Sequence, residues 1–171
     1  MDILTAIHSR RSIRKFTDKP VSEEDIRILL DAAMIAPSAG NAQSWQFVVI
    51  TDKAMLAKVP TIHPYAAMAA NAPLGILVCG NPKVERYPGY WVQDCSAAIQ
   101  NILLAALARG LGTVWTGIYP VEDRVKSFRT LCELPEDIIP LGLIVVGYHS
   151  LGDNYLSRYD EKKVHRNTWK A

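Results

Sequence analysis

Two kinds of apolar pattern alternate along the 171-residue chain: short unbroken runs, and longer stretches whose apolar positions lie three and four residues apart. The runs Gln46 to Thr51, Gly75 to Cys79, Thr113 to Gly117 and Leu141 to Tyr148 predict four strands. Phe47, Val48, Val49 and Ile50 show no polar alternation, so the first strand is expected to be covered on both faces. Asp2 reads as the cap of a short helix carrying Ile3, Leu4 and Ile7. After the break at Asp18-Lys19-Pro20, Ser22 caps a second helix with Glu23, Glu24 and Asp25 in its first turn and Val21 stapled to Ile26. Its apolar face is Ile26, Leu29, Leu30 and Ala33, and Pro37 ends it. Asp52 caps a short helix through Ala57, and His63-Pro64-Tyr65 opens an alanine-rich helical segment reaching about Ala70. Val121 to Leu131 predicts a further helix.

The longest helix is expected from Gly89 to Arg109, closed by Gly110-Leu111-Gly112. Trp91, Cys95, Ala98, Ile102 and Ala105 form one stripe and Val92, Ile99, Leu103 and Ala106 the next, which leaves no clear polar face. Such a helix must be covered all round, and one sheet covers one side, so the pattern predicts a homodimer core. The competing reading is a single buried central helix. The tail from Ser150 to Ala171 is polar with isolated aromatics and has little capacity to form a core alone.

Length and the absence of repeats or composition breaks fit one domain spanning residues 1–171. A formal net charge of +2 implies neither a nucleic-acid nor a membrane partner, so any functional charge must be local. No apolar stretch is long enough to span a bilayer and the N-terminus has no signal-peptide pattern, which makes a cytoplasmic protein the expectation. Three widely separated cysteines without a C-x-x-C pair indicate reduced thiols, and four histidines without ligand spacing indicate no metal. Strands alternating with helices would alone suggest a doubly wound sheet, but no G-x-G-x-x-G or P-loop is present.

Local charge is concentrated near the start, where Arg10, Arg11, Ser12, Arg14 and Lys15 fall within a few residues. Guanidinium forks match phosphate oxygens, although a short basic run is also ordinary solvated surface. A second stretch, Ala36 to Phe47, joins the second helix to the first strand and contains Pro37, Ser38, Ala39, Asn41, Gln43 and Trp45. Together these stretches resemble the nitroreductase family of FMN-dependent oxidoreductases, which open with R-R-S-x-R-x-[FY] and follow the next helix with P-S-x-x-N-x-Q-P-W. The closing segment Ser157 to Trp169 is similar to that of many small members, so the resemblance spans the whole chain. One position departs: Ser44 stands where the family usually has proline.

The resemblance implies an α+β nitroreductase-like fold: a mainly antiparallel or mixed sheet of four to five strands flanked by helices, with a C-terminal arm exchanged in a homodimer. It implies FMN at the subunit interface, with Arg10, Ser12 and Arg14 on the phosphate and nearby polar atoms, Arg11 close by, and Arg158 reaching the phosphate from the closing segment. Pro37, Ser38 and Ala39 would lie against the flavin of the other subunit, and the amides of Asn41 and Gln43 can both donate and accept along a ribityl chain or pyrimidine edge. Thr116-Gly117 matches the region that approaches flavin N5 through a backbone amide; a strand-end turn explains the same residues. His63 and Tyr65 are candidate substrate-pocket residues, against a structural His-Pro-Tyr turn. No catalytic side chain is expected, because FMN carries the chemistry.

The implied activity is ping-pong hydride transfer from NADH or NADPH through FMN to nitroaromatics, quinones or similar oxidised small molecules. Two alternatives stay open: a flavin-binding storage or sensing protein, and an FMN-dependent reductase of another substrate class, such as a dehalogenase. A basic phosphate or nucleic-acid module is disfavoured by the near-neutral charge.

Overall fold

The computed structural model describes residues 2–152 and 155–169; Met1, and Asp153, Asn154, Lys170 and Ala171 of the expected arm, lie outside the described residues. Four strands, β1 (Trp45–Ile50), β2 (Leu74–Gly80), β3 (Leu111–Gly117) and β4 (Ile139–Tyr148), form one sheet in the order β1-β2-β4-β3. Every strand pair is antiparallel, which rules out the doubly wound arrangement and gives the α+β class. Among the described residues the one parallel feature is an isolated bridge between Ser12 and Thr113. The sheet therefore has four strands within this chain, at the low end of the expected four to five.

Helices α2 (Glu23–Met34) and α4 (Trp91–Ala108) cover one face, where Leu29, Ala33, Ile76, Cys95, Ile99, Ile102, Ile144 and Val146 are buried together. Helices α3 (Lys53–Ile62) and α5 (Glu122–Leu131) cover the other, around Leu56, Val59, Leu77, Phe128, Leu143 and Val145. The two central strands are buried on both faces, whereas β1, expected to be covered on both, is an edge strand that leaves Val49 exposed despite its unbroken apolar run. Predicted boundaries shift where a residue has a second use. α3 runs on through Pro60 to Ile62, and β4 starts two residues early because Pro140 sits at a register shift, where a missing N–H is tolerated. β3 begins at Leu111, directly after Gly110 (φ 71°), so Leu111 and Gly112 belong to the strand rather than to the turn.

α4 starts at Trp91 rather than Gly89, and much of its cover comes from within the chain. α2 packs along it, and the Asn101 side-chain amide donates to the Ala32 carbonyl at 2.9 Å. Part of the cover that the apolar stripes assigned to a second subunit is thus supplied by α2. At the far end, buried Asp25 accepts hydrogen bonds from Arg109 Nε at 2.6 Å, from Ser22 Oγ and from Tyr148 Oη, joining α2, α4 and β4. The Arg109 hydrogen bond, more than any other contact, holds the Asp25 carboxyl below its ordinary range.

The basic segment is seated by two glycines that face each other across β3 and β4, Gly112 and Gly147. A Cβ on Gly112 would lie 2.8 Å from Ile13 Cβ, and one on Gly147 would lie 3.1 Å from Phe16 Cβ. Their bare backbone lets residues 12–17 lie directly on the sheet, with Ile13 N–H donating to the Thr113 carbonyl and Thr17 N–H to the Tyr148 carbonyl, each at 2.8 Å. Alanine at Gly112 is expected to cost about 1–3 kcal/mol by overpacking, and to loosen the basic segment as well. Chemical denaturation checks the first effect, and amide exchange at Ile13 and Thr17 checks the second.

Candidate active site

Helix α1 (Ile3–Ser9), capped by the Asp2 carboxylate on Thr5 N–H, delivers the chain at Arg10 to the start of β3. From there the backbone is extended, so side chains alternate: Ile13 is buried while Ser12 and Arg14 point out to solvent. Arg10 lines a small cleft with Ser9, Leu107, Thr113 and His149, and Arg11 donates to the Gly152 carbonyl. Ion pairs among the described residues use Lys83, Arg109, Lys126 and Lys163 as cations, which leaves Arg10, Arg14 and Arg158 without a carboxylate partner. Arg158 is exposed on the arm. The arm begins over α1, where Leu156 N–H donates to the His8 carbonyl, His8 Nδ1 meets the Leu156 carbonyl at 2.8 Å and the His8 ring stacks on Tyr155.

β3 is an edge strand, and its free edge runs about 13 Å, four residue rises, from Thr113, beside the basic segment, to Gly117. Thr116 is buried and its hydroxyl donates to the Leu143 carbonyl at 3.0 Å, so it serves the sheet. Ile118 N–H bonds back to β4, and by alternation the N–H and C=O of Gly117 point to the free edge. The Gly117 carbonyl is held from two sides, by His63 Nε2 at 2.9 Å and Arg124 Nη1 at 3.0 Å. A Cβ built on Gly117 would meet no atom within 4 Å, so the chain's own packing leaves the space beside it open.

His63 is 2% exposed, and its Nδ1 accepts from Tyr65 N–H at 3.2 Å. With Nδ1 an acceptor, Nε2 must carry the proton that goes to Gly117. Burial pushes the His63 pKa below its ordinary value, and the nearby Arg124 cation adds to the effect. Tyr65 is exposed, with the Arg124 guanidinium 5.5 Å from its ring centroid. The structure thus brings His63, Tyr65, Arg124 and Gly117 together at one end of the free edge and Arg10, Arg11, Ser12 and Arg14 at the other.

The second predicted stretch lies elsewhere. Pro37, Ser38 and Ala39 line a hollow with Tyr90, Gln93 and Asp94 near the start of α4, and the loop leads into β1. β1 is the opposite edge of the sheet, three strand spacings or about 14 Å from β3. Gly40, Asn41 and Gln43 all have positive φ (60°, 57° and 50°), a conformation costly for a glutamine. The loop is held by Ser38 Oγ, which accepts from Gln43 N–H, and by the Gln43 side-chain amide donating to Asn41 Oδ1.

Asp94 is the residue that the sequence reading missed. It is buried, and its two oxygens accept from Ala39 N–H at 2.9 Å and from Ser44 Oγ at 3.3 Å. The signal was available, since Asp94 is the one charged residue in the Trp91–Ala108 helix. Ser44, at the position where proline was expected, is fully buried and gives Asp94 its second hydrogen bond. Arg124 offered no such signal, because a basic residue on an exposed helix is ordinary.

A model of the Nitroreductase family matches residues 7–72 and 63–148. The chain belongs to the nitroreductase family. A protein of Methanothermobacter thermautotrophicus named "Putative NADH dehydrogenase/NAD(P)H nitroreductase" is 49% identical over 99% of this chain and 88% of its own length. The crystal structure of a protein with the same name from Bacteroides thetaiotaomicron is 44% identical and superposes with a TM-score of 0.92, over 98% of both chains. A third relative, a Desulfovibrio desulfuricans nitroreductase crystallised in complex with FMN, is 30% identical, with a TM-score of 0.81 over 98% of both chains. Along this edge stand guanidinia without a carboxylate partner among the described residues, then open strand backbone, then a glycine beside open space.

Replacing Asp94 by Ala leaves the Ala39 N–H and the Ser44 hydroxyl unpartnered and is expected to cost about 1–3 kcal/mol. Asn retains an acceptor and should cost less; denaturation midpoints of the two variants check the order. Because the folded pKa of His63 lies below the ordinary value near 6.5, the unfolded chain takes up this proton first. Stability should therefore fall as pH drops below about 6.5, and His63→Gln should flatten that slope in denaturation series between about pH 5 and 7.

Proposed function

We propose that this nitroreductase is an FMN-dependent NAD(P)H oxidoreductase acting on nitroaromatics, quinones or similar oxidised small molecules by a ping-pong scheme. One observation carries the reading: the guanidinia of Arg10 and Arg14, without a carboxylate partner among the described residues, stand at the head of a free strand edge that ends at Gly117 with open space beside it. Arg10, Ser12 and Arg14 would hold the phosphate, with Arg11 close by; Arg158 would join them from the arm. Asn41 and Gln43 would bond the ribityl chain or the pyrimidine edge, and the Gly117 N–H would approach N5 of the ring. FMN itself supplies the redox step, hydride passing from the nicotinamide to the ring and from the ring to the acceptor. The protein binds, orients and limits access. Relatives named NAD(P)H nitroreductase and the FMN complex of the Desulfovibrio protein support the assignment of donor and cofactor.

The two groups of candidate residues sit at opposite sheet edges, so a site containing both needs two copies of the chain. Exposed apolar side chains support a homodimer: Ile3, Leu4 and Ile7 on α1, Met34 and Ile35 at the end of α2, and Tyr155, Tyr159 and Trp169 on the arm. In that arrangement the Pro37–Gln43 loop of one subunit meets the flavin held by the other, and the arm crosses to its partner. Tyr65, exposed beside Gly117, is placed to line the substrate side of the ring.

The purified protein is expected to be yellow, to run as a dimer in light scattering, and to bleach on anaerobic addition of NADPH or NADH. A flavin spectrum that neither nucleotide bleaches would favour storage or sensing; a colourless protein that takes up no FMN would end the proposal. Arg14→Ala should weaken FMN binding about 10- to 100-fold, the range for a charge-assisted hydrogen bond. Gly117→Ala should leave the melting temperature of the flavin-free protein unchanged, because its Cβ meets nothing, yet reduce FMN affinity.

A further inference from the structure

The bare carbonyl of an edge-strand residue is normally left to water, yet the Gly117 carbonyl has two protein donors from separate elements. His63 reaches it from the end of α3 and Arg124 from the first turn of α5. Both donors are themselves fixed. The His63 ring is enclosed edge-on against Phe128 (centroids 6.3 Å apart, 82° between planes), and its Nδ1 is occupied by Tyr65 N–H. Arg124 lies over the Tyr65 ring. A glycine with no side-chain packing would otherwise be the loosest point of the edge, and nothing else among the described residues bonds its carbonyl.

We propose that His63 and Arg124 are positioning residues that jointly hold the Gly117 carbonyl and so set the direction in which the Gly117 N–H leaves the free edge of β3 toward the isoalloxazine ring. In a strand the N–H and C=O of one residue project to the same side, so fixing the carbonyl fixes the donor beside it. Capping the carbonyl also takes a negative dipole end away from the place where the ring edge would sit, and Arg124 adds a positive charge there. His63 then acts through Gly117 rather than on substrate. The inference rests on the FMN reading of Gly117 given above.

The test combines one measurement without flavin with two on the holoprotein. In the flavin-free protein, long-range proton–nitrogen correlation of the imidazole should show His63 neutral with the proton on Nε2. A proton on Nδ1 would overturn the clamp independently of any cofactor. With FMN, His63→Leu keeps the bulk and removes both nitrogen atoms, whereas His63→Gln can still donate to Gly117. Leu is expected to weaken FMN binding up to about tenfold, the worth of one misdirected hydrogen bond; Gln should restore most of it. Arg124→Met should move the midpoint potential of bound FMN to more negative values, and Arg124→Lys less so. Equal effects of Leu and Gln, matched by equal losses of melting temperature, would reduce His63 to packing and overturn the proposal, as would FMN affinity and potential unchanged in all four variants. Failure of the unmodified protein to bind FMN would overturn it through the functional reading instead, with the tautomer result unaffected.

Discussion

The geometry of this protein depends on how closely one extended segment can approach the end of the sheet. Gly112 and Gly147 are cross-strand partners, and their missing side chains form a shallow trough for Ile13 and Phe16. The apolar residues enter the trough and the alternation of an extended chain turns Ser12 and Arg14 outward. Backbone hydrogen bonds at Ile13 and Thr17 then fix the height of the segment above the strands. A flexible basic arm would lose much entropy on binding a phosphate, whereas guanidinia held on a rigid sheet lose less.

A second constraint is the strand order. β1 and β3 lie on opposite edges, so the Pro37–Gln43 loop leads into one edge of the sheet and Gly117 stands on the other. In the proposed homodimer each chain would carry two half-sites, and the exposed apolar side chains of α1 and the arm would be available to cover one another. Oligomerisation and cofactor binding become one problem in such a design.

Buried polar groups do the local fixing. Asp94 ties the strained loop to α4 through Ala39 and Ser44, and His63 ties the β3 edge to α3. In both cases every polar side-chain atom that is buried has a partner, consistent with the absence of buried unsatisfied side-chain atoms among the described residues. The Cys95 thiol donates to the Cys79 carbonyl at 3.4 Å, and burial pushes Cys95 up to about 12 and Cys79 higher still, which keeps both as inert thiols.

The sequence by itself determined the elements. Short apolar or β-branched runs marked the four strands of the described sheet, caps at Asp2, Ser22 and Asp52 marked three helix starts, and the basic segment and the Pro37–Gln43 loop were recognisable as motifs. These are local properties, written in spacing and residue type. Contacts between residues far apart in the chain were not written there: that Gly112 faces Gly147, that His63 is buried against Gly117 rather than open to solvent, and that Asp94 reaches back 55 residues to Ala39. Pairing register and strand order decide those contacts, and both follow from packing the whole sheet between its two layers of helices. The tertiary structure also gave individual residues roles that spacing does not show: the Thr116 hydroxyl bonds within the sheet, and Ser44, a departure from the family pattern, partners a buried carboxylate.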